Sequence, residues 1–172
     1  MSDDFSTFWR NNEQASALFY DLLARAEQDA CDDDFLMQLA AYREAGGDAA
    51  HADIFAAQYL LANGDAENAV ICAERAFRLR SVEPAVWAVL RRAYTATARY
   101  ADALVMQAYM AKLLNRPLTL PADIPRSTLT PEVLDRLSVA MGKPSYAPMA
   151  LSRISWDDEK GLCSAEGVFA GE

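Results

Sequence analysis

The stretch Pro84–Pro117, PAVWAVLRRAYTATARYADALVMQAYMAKLLNRP, decides the fold class of this chain. Within it, Trp87, Leu90 and Tyr94 are spaced at i, i+3 and i+7, which places all three on one face of a helix. The short segment Ala98–Tyr100 then separates this helix from a second apolar run. The stretch therefore predicts two antiparallel helices, the first of which carries an aromatic face.

A weaker copy of this stretch lies about 34 residues earlier in the chain. Ala103 corresponds there to Ala69, whereas Trp87 corresponds to Asp53, so the earlier copy lacks its aromatic anchor. The earlier copy keeps its small residues instead, which are Ala57, Gly64, Ala69 and Ala76. Because small residues allow two helices to approach closely, we expect a second helix pair in this region.

The combined pattern resembles the tetratricopeptide repeat, in which Trp, Leu, Gly and Tyr are followed at fixed offsets by Ala, an aromatic residue and Pro. Arg91 departs from the family pattern, which has a small residue there, and the prolines come late, at Pro84 and Pro117. The resemblance covers residues 50–117 well and 12–47 weakly. It implies two to three degenerate repeats, stacked as a right-handed array of helical hairpins. The alternative is an ordinary helical bundle whose Trp and Tyr are core residues.

Capping signals predict where the other helices begin. Residues 1–12 are expected to form a lead-in helix or an arm, and Asn12 to cap a helix that follows. Asp32, Asp33 and Asp34 precede another helix, where carboxylates satisfy free N–H groups and favour the helix dipole. We prefer this explanation to a metal site, since no further ligand cluster accompanies the three aspartates. Two later aspartates, Asp48 and Asp65, are expected to cap helices that reach Leu61 and about Leu79.

The chain changes character after residue 116. Three prolines between 116 and 126 exclude a regular helix, so this segment is predicted to run extended across the apolar helix Ala101–Leu114. Thr130, followed by proline, starts a capping helix that ends at Gly142. Two short strands around a turn are then predicted near the end.

We therefore expect an all-α protein with a C-terminal capping helix and a short β-like tail. The predicted domains are a repeat domain over 1–116, a Pro-rich connection with the capping helix over 117–148, and the tail over 149–172. The tail is expected to begin a further domain of a longer protein. A natural C-terminal hairpin, packed on the array or on a second chain, is the alternative.

The charge distribution limits the class of partner. The formal net charge is −9, but residues 1–69 carry fourteen acidic and three basic side chains, whereas residues 70–116 carry eight basic and three acidic ones. Overall acidity argues against sequence-independent binding of nucleic acid, which requires a positive field. The two halves are expected to neutralise each other along the stack, although the Arg-rich middle could instead hold an anionic segment.

The sequence offers little for catalysis. His51 is the only histidine, and we expect it on a helix surface. Cys72 is expected to be a buried structural thiol rather than a nucleophile. No phosphate-binding, dinucleotide-binding or zinc-protease motif occurs. We therefore expect no enzyme, no cofactor and no metal. The absence of an apolar run long enough for a membrane span or a secretory signal, together with three scattered cysteines, favours a cytoplasmic protein.

Binding is the remaining expectation, and the resemblance implies its location. In tetratricopeptide arrays the first helix of each pair lines a concave groove, and the Lys/Asn set with which some members clamp a carboxylate is absent here. Arg92 alone could pair with a carboxylate in two-pronged geometry, so an acidic group on the partner is expected. The positions carried over as partner-binding residues are Tyr20, Ile54, Gln58, Leu61, Arg92 and Thr95.

Three function classes follow from these expectations. The first is a protein–protein interaction module, forming the N-terminal part of a larger bacterial protein such as a cell-envelope polysaccharide enzyme. The second is a free-standing chaperone similar to the tetratricopeptide chaperones of type III secretion. The third is a small enzyme. The partner in the first two classes is a protein or peptide, and the sequence does not specify an oligomeric state.

Overall fold

In a computed structural model, the described backbone comprises residues 2–142, 154–157 and 162–165, and side chains are described for 10–142. This part of the chain contains seven α-helices, one turn of 3-10 helix at Arg126–Thr128, and two short strands. The helices are α1 (Ser2–Glu27), α2 (Asp33–Glu44), α3 (Ala49–Ala62), α4 (Ala66–Leu79), α5 (Pro84–Ala96), α6 (Tyr100–Leu113) and α7 (Pro131–Ala140).

The chain divides into two compact units, Met1–Ala93 and Tyr94–Glu172. The prediction that the protein is mainly helical is confirmed, and adjacent helices pack as hairpins within the first unit: α1 on α2, α2 on α3, and α3 on α4. The domain limits predicted from the sequence stay a prediction.

The first helix differs from the prediction. It runs without interruption from Ser2 to Glu27, so Asn12 lies inside the helix and does not cap it. The reason is local, because no Pro or Gly occurs in this stretch to break the backbone. The sequence predicts that Leu22 and Leu23 both face inward; Leu22 is fully buried, but Leu23 is 37% exposed, so the prediction is wrong for Leu23. The apolar residues Phe5, Phe8 and Trp9 are predicted to dock on the first helix pair, and this prediction falls outside the described side chains.

The predicted N-caps are confirmed in α2, α3 and α4. The side chain of Asp32 accepts a hydrogen bond from the N–H of Phe35 at 3.0 Å. Asp48 accepts one from the N–H of His51 at 3.0 Å. Asp65 accepts one from the N–H of Asn68 at 3.3 Å. Each carboxylate thus satisfies a backbone donor that has no partner within its own helix.

Aromatic rings fill the centre of the first unit. Phe35 and Phe55 are buried, and their ring centroids lie 6.1 Å apart in an edge-to-face arrangement. The ring of Tyr42 meets Phe55 at 6.2 Å, again nearly perpendicular. Edge-to-face pairs of this kind stabilise a core by more than their buried area alone. These contacts join α2 to α3, and Leu22 adds α1 to the same cluster.

Alanine side chains account for the pairing of α3 with α4. Ala57 on α3 and Ala69, Ala73 and Ala76 on α4 are all completely buried. A methyl group at each position lets the two backbones approach closely, which confirms the expectation drawn from the small residues. Trp87 on α5 is also buried as predicted, with 7% of its surface exposed, and its indole N–H donates to the carbonyl of Ser81 at 2.7 Å.

In the second unit α7 packs against α6, and Thr130 caps α7 by accepting from the N–H of Val133 at 3.4 Å. Leu118 and Ile124, in the Pro-rich connection, are 2% and 3% exposed.

Strands β1 (Ile154–Asp157) and β2 (Leu162–Ala165) pair antiparallel. Within the described residues, no helix is long and apolar enough to cross a membrane.

Candidate functional site

The candidate site is a cleft of about 270 Å³ on the first unit. Its walls come from α1, from the last turn of α2, and from the turn that leads into α3. Phe19 and His51 face each other across the two helices, with ring centroids 5.1 Å apart. Tyr20 stands at the rim and is 68% exposed. The lining residues are Asn12, Ala15, Ser16, Phe19, Tyr20, Tyr42, Gly46, Gly47, Asp48 and His51.

One wall is built by a close approach of backbone to ring. Gly46 has φ +80, a conformation that L residues rarely adopt, and it ends α2. Gly47 follows so near to Tyr42 that an added Cβ would lie 2.4 Å from the ring. The Tyr42 hydroxyl then accepts a hydrogen bond from the N–H of Asp48 at 2.9 Å. The glycine pair therefore presses the turn onto the tyrosine and shapes the cleft.

Asp48 is the charged group of the cleft, and its carboxylate has several partners. Besides capping α3, it forms an ion pair with Arg80, and its Oδ1 lies 3.7 Å from Nδ1 of His51. Partial burial by itself raises the pKa of Asp48, but the backbone hydrogen bonds from His51 and Ala50, with the charges of His51 and Arg80, outweigh it and lower the pKa. Asp48 is therefore ionised at neutral pH.

Tyr42 contributes a neutral hydroxyl. Burial is the main reason that the pKa of Tyr42 is raised above its usual value. Because the hydroxyl oxygen already accepts from the Asp48 N–H, its own proton is available to donate to a ligand. The cleft thus combines aromatic faces, one carboxylate, an imidazole and hydroxyl groups, a mixture suited to binding one large side chain.

His51 belongs to the wall of the cleft. The sequence predicts a helix-surface position for His51, and its side chain is 27% exposed and lines the cleft. The carboxylate of Asp48 lies next to it because both belong to the first turn of α3, in an N-cap arrangement. The sequence did not predict the contact between Phe19 and His51, since they come from different helices and only packing brings them together.

The predicted partner-binding residues occupy different environments. Tyr20 lines the cleft, whereas Ile54 is buried, with 5% of its surface exposed. Gln58 and Leu61 are partly exposed on α3, and the Oε1 atom of Gln58 is buried without a hydrogen-bond partner. Thr95 is partly exposed in the second unit. The binding roles of all six residues stay predictions.

Arg92 is exposed near an acidic loop. Its charge is close enough to Cys31 to lower the pKa of that thiol, although burial and the charges of Asp29 and Asp32 raise this pKa overall. The ion pairs found among the described residues do not include Arg92. Its guanidinium is therefore available to an acidic group brought by a partner.

Asp53, at the position that corresponds to Trp87, is a buried charged residue. It is 6% exposed and accepts hydrogen bonds from Arg75 on α4 at 2.6 and 3.3 Å. Arg43 on α2 lies 3.6 Å away. The carboxylate of Asp53 thus links α3 to both α4 and α2 through two arginines, whereas the sequence pattern had indicated only the loss of an aromatic anchor. Cys72 lies beside Arg75 and is only partly buried, whereas the sequence analysis predicted a buried thiol.

Within the part of the chain whose side chains are described, no group of three His, Cys, Asp or Glu residues could hold a metal ion. Burial raises the pKa of Cys72, which leaves this thiol protonated at neutral pH. Comparison of the chain with protein-family models, with curated proteins and with solved structures found no match.

Proposed function

We propose that this chain is a tetratricopeptide-like interaction module that binds an extended or helical segment of another protein. The segment lies along the first helices of successive pairs, where it contacts the rim of the cleft at Tyr20 and the exposed guanidinium of Arg92. The observation that carries the proposal is the cleft itself, which opens between α1 and α3 and has an exposed aromatic side chain at its edge. Aromatic and arginine side chains are the residues that most often dominate binding energy at interfaces.

The arrangement of helices supports this proposal. Short turns join helices that pack in sequence order, α1 on α2, α2 on α3 and α3 on α4. Repeat proteins bury their cores in this way, because each helix pair contacts only its neighbours. The left-handed residue that follows α3, Gly64 with φ +81, corresponds in the repeat pattern to Ala98 with φ +56. Two turns that correspond in the sequence thus share one backbone conformation.

We also propose that α7 and the connection before it cap the apolar helix α6. Helix α6 buries Leu104 completely, and α7 buries Leu137 almost completely. Arg136 on α7 donates to Asp102 on α6 at 2.8 Å. Terminal repeats need such a cover, since an open end would expose apolar surface.

Hydrolytic catalysis at His51 is a weaker candidate function. Asp48 and Ser16 line the same cleft as His51, which are the residue types of a catalytic triad. The carboxylate of Asp48, however, is already bound to the helix N-terminus and to Arg80. It is not placed to orient the imidazole, whose Nδ1 lies 3.7 Å away. Binding therefore explains the cleft better than catalysis does.

The test is affinity capture from a bacterial lysate followed by mass spectrometry. Tyr20→Ala and Arg92→Glu should both lose the partner, because one removes an aromatic contact and the other turns attraction into repulsion. Two controls match them: Met37→Ala, a 71% exposed residue of α2, and Arg78→Glu, an exposed arginine of α4. Equal capture by the unmodified protein and all four variants would show that neither Tyr20 nor Arg92 belongs to the binding surface.

A further inference from the structure

The cleft has the chemistry of a site for a positively charged side chain. The rings of Phe19, Tyr20 and Tyr42 all line the cleft, and the ring of Phe19 lies 5.4 Å from Tyr20 and 6.4 Å from Tyr42. The faces of such rings attract cations, and the planar guanidinium of arginine is found on them more often than the ammonium of lysine. Uncharged acceptors line the same space, among them the side-chain oxygens of Asn12 and Ser16.

The charges around the cleft favour a cation over an anion. Fourteen acidic and three basic residues occur in 1–69, and two of the basic ones are already paired: Arg25 with Asp21 and Asp32, and Arg43 with Asp53.

Arg80 offsets the charge of Asp48 at the wall of the cleft, so the pair is nearly neutral as a unit. Glu13 is exposed on α1, one turn before Ser16, and adds negative charge to the helix that carries this lining residue.

We propose that the cleft between Phe19 and His51 binds a basic side chain, preferably arginine, on the partner segment. The guanidinium stacks on the ring of Phe19 or Tyr20 and donates to the side-chain oxygens of Asn12 and Ser16. This inference rests on the proposed function, because it names the residue that the bound segment contributes. The same segment then carries a basic residue for the cleft and an acidic one for Arg92.

The experiment titrates the whole protein with acetyl-arginine amide and follows backbone amide signals by NMR. The expected result is a shift of the amides that line the cleft, those of Gly46, Gly47, Asp48 and His51. Acetyl-lysine amide should act at higher concentrations, because an ammonium stacks less well on a ring than a guanidinium does. Acetyl-glutamate amide and acetyl-tryptophan amide serve as the anionic and the uncharged aromatic probes.

Charges introduced at Ser16 test whether the arginine probe binds in the cleft. Ser16→Asp should tighten binding of the arginine probe about threefold, and Ser16→Lys should weaken it by at least as much, the size expected for one exposed charge pair. Ala17 provides the matched control, since it is the next exposed residue of α1 but does not line the cleft. Ala17→Asp and Ala17→Lys change the net charge equally and should alter binding much less.

The inference is overturned if no basic probe binds the cleft, and two further results would also overturn it. One is a glutamate or tryptophan probe that shifts the same amides at lower concentration than the arginine probe. The other is an equal response of the Ser16 and Ala17 variants. If capture from lysate still depends on Tyr20 while no basic probe binds the cleft, the proposed function stands and only the choice of an arginine side chain is wrong. If capture from lysate does not depend on Tyr20 and no basic probe binds the cleft, both proposals are rejected.

Discussion

Asp53 and Arg75 form a partly buried ion pair, in which Asp53 stands at the position that corresponds to Trp87. Both carboxylate oxygens of Asp53 accept from the guanidinium of Arg75, at 2.6 and 3.3 Å. The two partners differ in exposure, since the side chain of Asp53 is 8% exposed and that of Arg75 is 50% exposed. The hydrogen bond with Asp53 is the main reason that the pKa of Arg75 is raised. Removing one partner should therefore not be equivalent to removing the other.

The first prediction follows from this asymmetry. Arg75→Ala should lower the free energy of unfolding by about 2–3 kcal/mol, because it leaves a buried carboxylate with only Arg43 nearby. Asp53→Asn should cost about 1 kcal/mol, since water can solvate the half-exposed guanidinium that remains. Urea denaturation of both variants measures the difference. A larger loss for Asp53→Asn than for Arg75→Ala would contradict the prediction.

The second prediction concerns Gly47, which lies against the Tyr42 ring. Gly47→Ala should destabilise the protein by about 1–3 kcal/mol, because the new methyl group overlaps a buried ring. Adding Tyr42→Leu to Gly47→Ala should remove the overlap, so the cost of the alanine should be much smaller in that background. Thermal melts of the two single variants and the double variant test this. Strictly additive losses would mean that the cost of the alanine does not come from overlap with the Tyr42 ring.

The third prediction concerns Trp87, which is buried on α5. Trp87→Ala should cost about 3–5 kcal/mol, as truncations of large aromatic core residues do. Trp87→Phe keeps an aromatic ring but loses the hydrogen bond to Ser81, so it should cost less. Val82, which is 80% exposed, provides the control, because Val82→Ala should change stability by less than about 0.5 kcal/mol. Chemical denaturation would refute the core role if Trp87→Ala lost no more than the control.

The fourth prediction is a pH dependence at Asp102. Burial alone raises the pKa of Asp102, but hydrogen bonds from Arg136 and Arg99 and the charges of both arginines outweigh it and lower the pKa. A pKa lowered by folding stabilises the protein above the unfolded value of about 4, and the stabilisation is lost as pH falls through the folded pKa.

Asp102→Asn should therefore lower stability at neutral pH and change little near pH 2. The loss at neutral pH should be about 0.5–1 kcal/mol, since both arginines are about half exposed and solvent screens the pairs. Denaturation at several pH values measures it, with Glu13→Gln as an exposed control on α1. A loss that is independent of pH would mean that Asp102 acts through packing rather than charge.

The fifth prediction tests the cap proposed for α6. A chain that ends at Asn115 lacks Leu118, Ile124 and the whole of α7, so buried side chains such as Leu104 should become exposed. A contiguous apolar face of this kind leads to association. Light scattering should detect oligomers of the truncated chain at concentrations where the full chain does not associate further. A truncated chain that stays monomeric and helical would refute the capping role.

The sequence alone predicted the bounds of most helices, and the physical reason is that their signals are local. Asp32, Asp48, Asp65 and Thr130 each accept a hydrogen bond from an N–H three residues ahead. Such bonds depend only on neighbours in the chain. The same locality explains the error in α1, where Asn12 has the residue type of a cap but continuous helix formers surround it.

The contacts between side chains of different helices depend on the tertiary structure. The Asp53–Arg75 pair joins residues 22 positions apart, and the sequence showed Asp53 merely as a missing tryptophan. The cleft depends on Phe19 and His51 meeting across two helices, and on the Tyr42 ring filling the space that a side chain at residue 47 would need. Periodicity identifies which face of a helix is apolar. The residues that meet across helices depend on how the helices pack, and that packing is a property of the whole core.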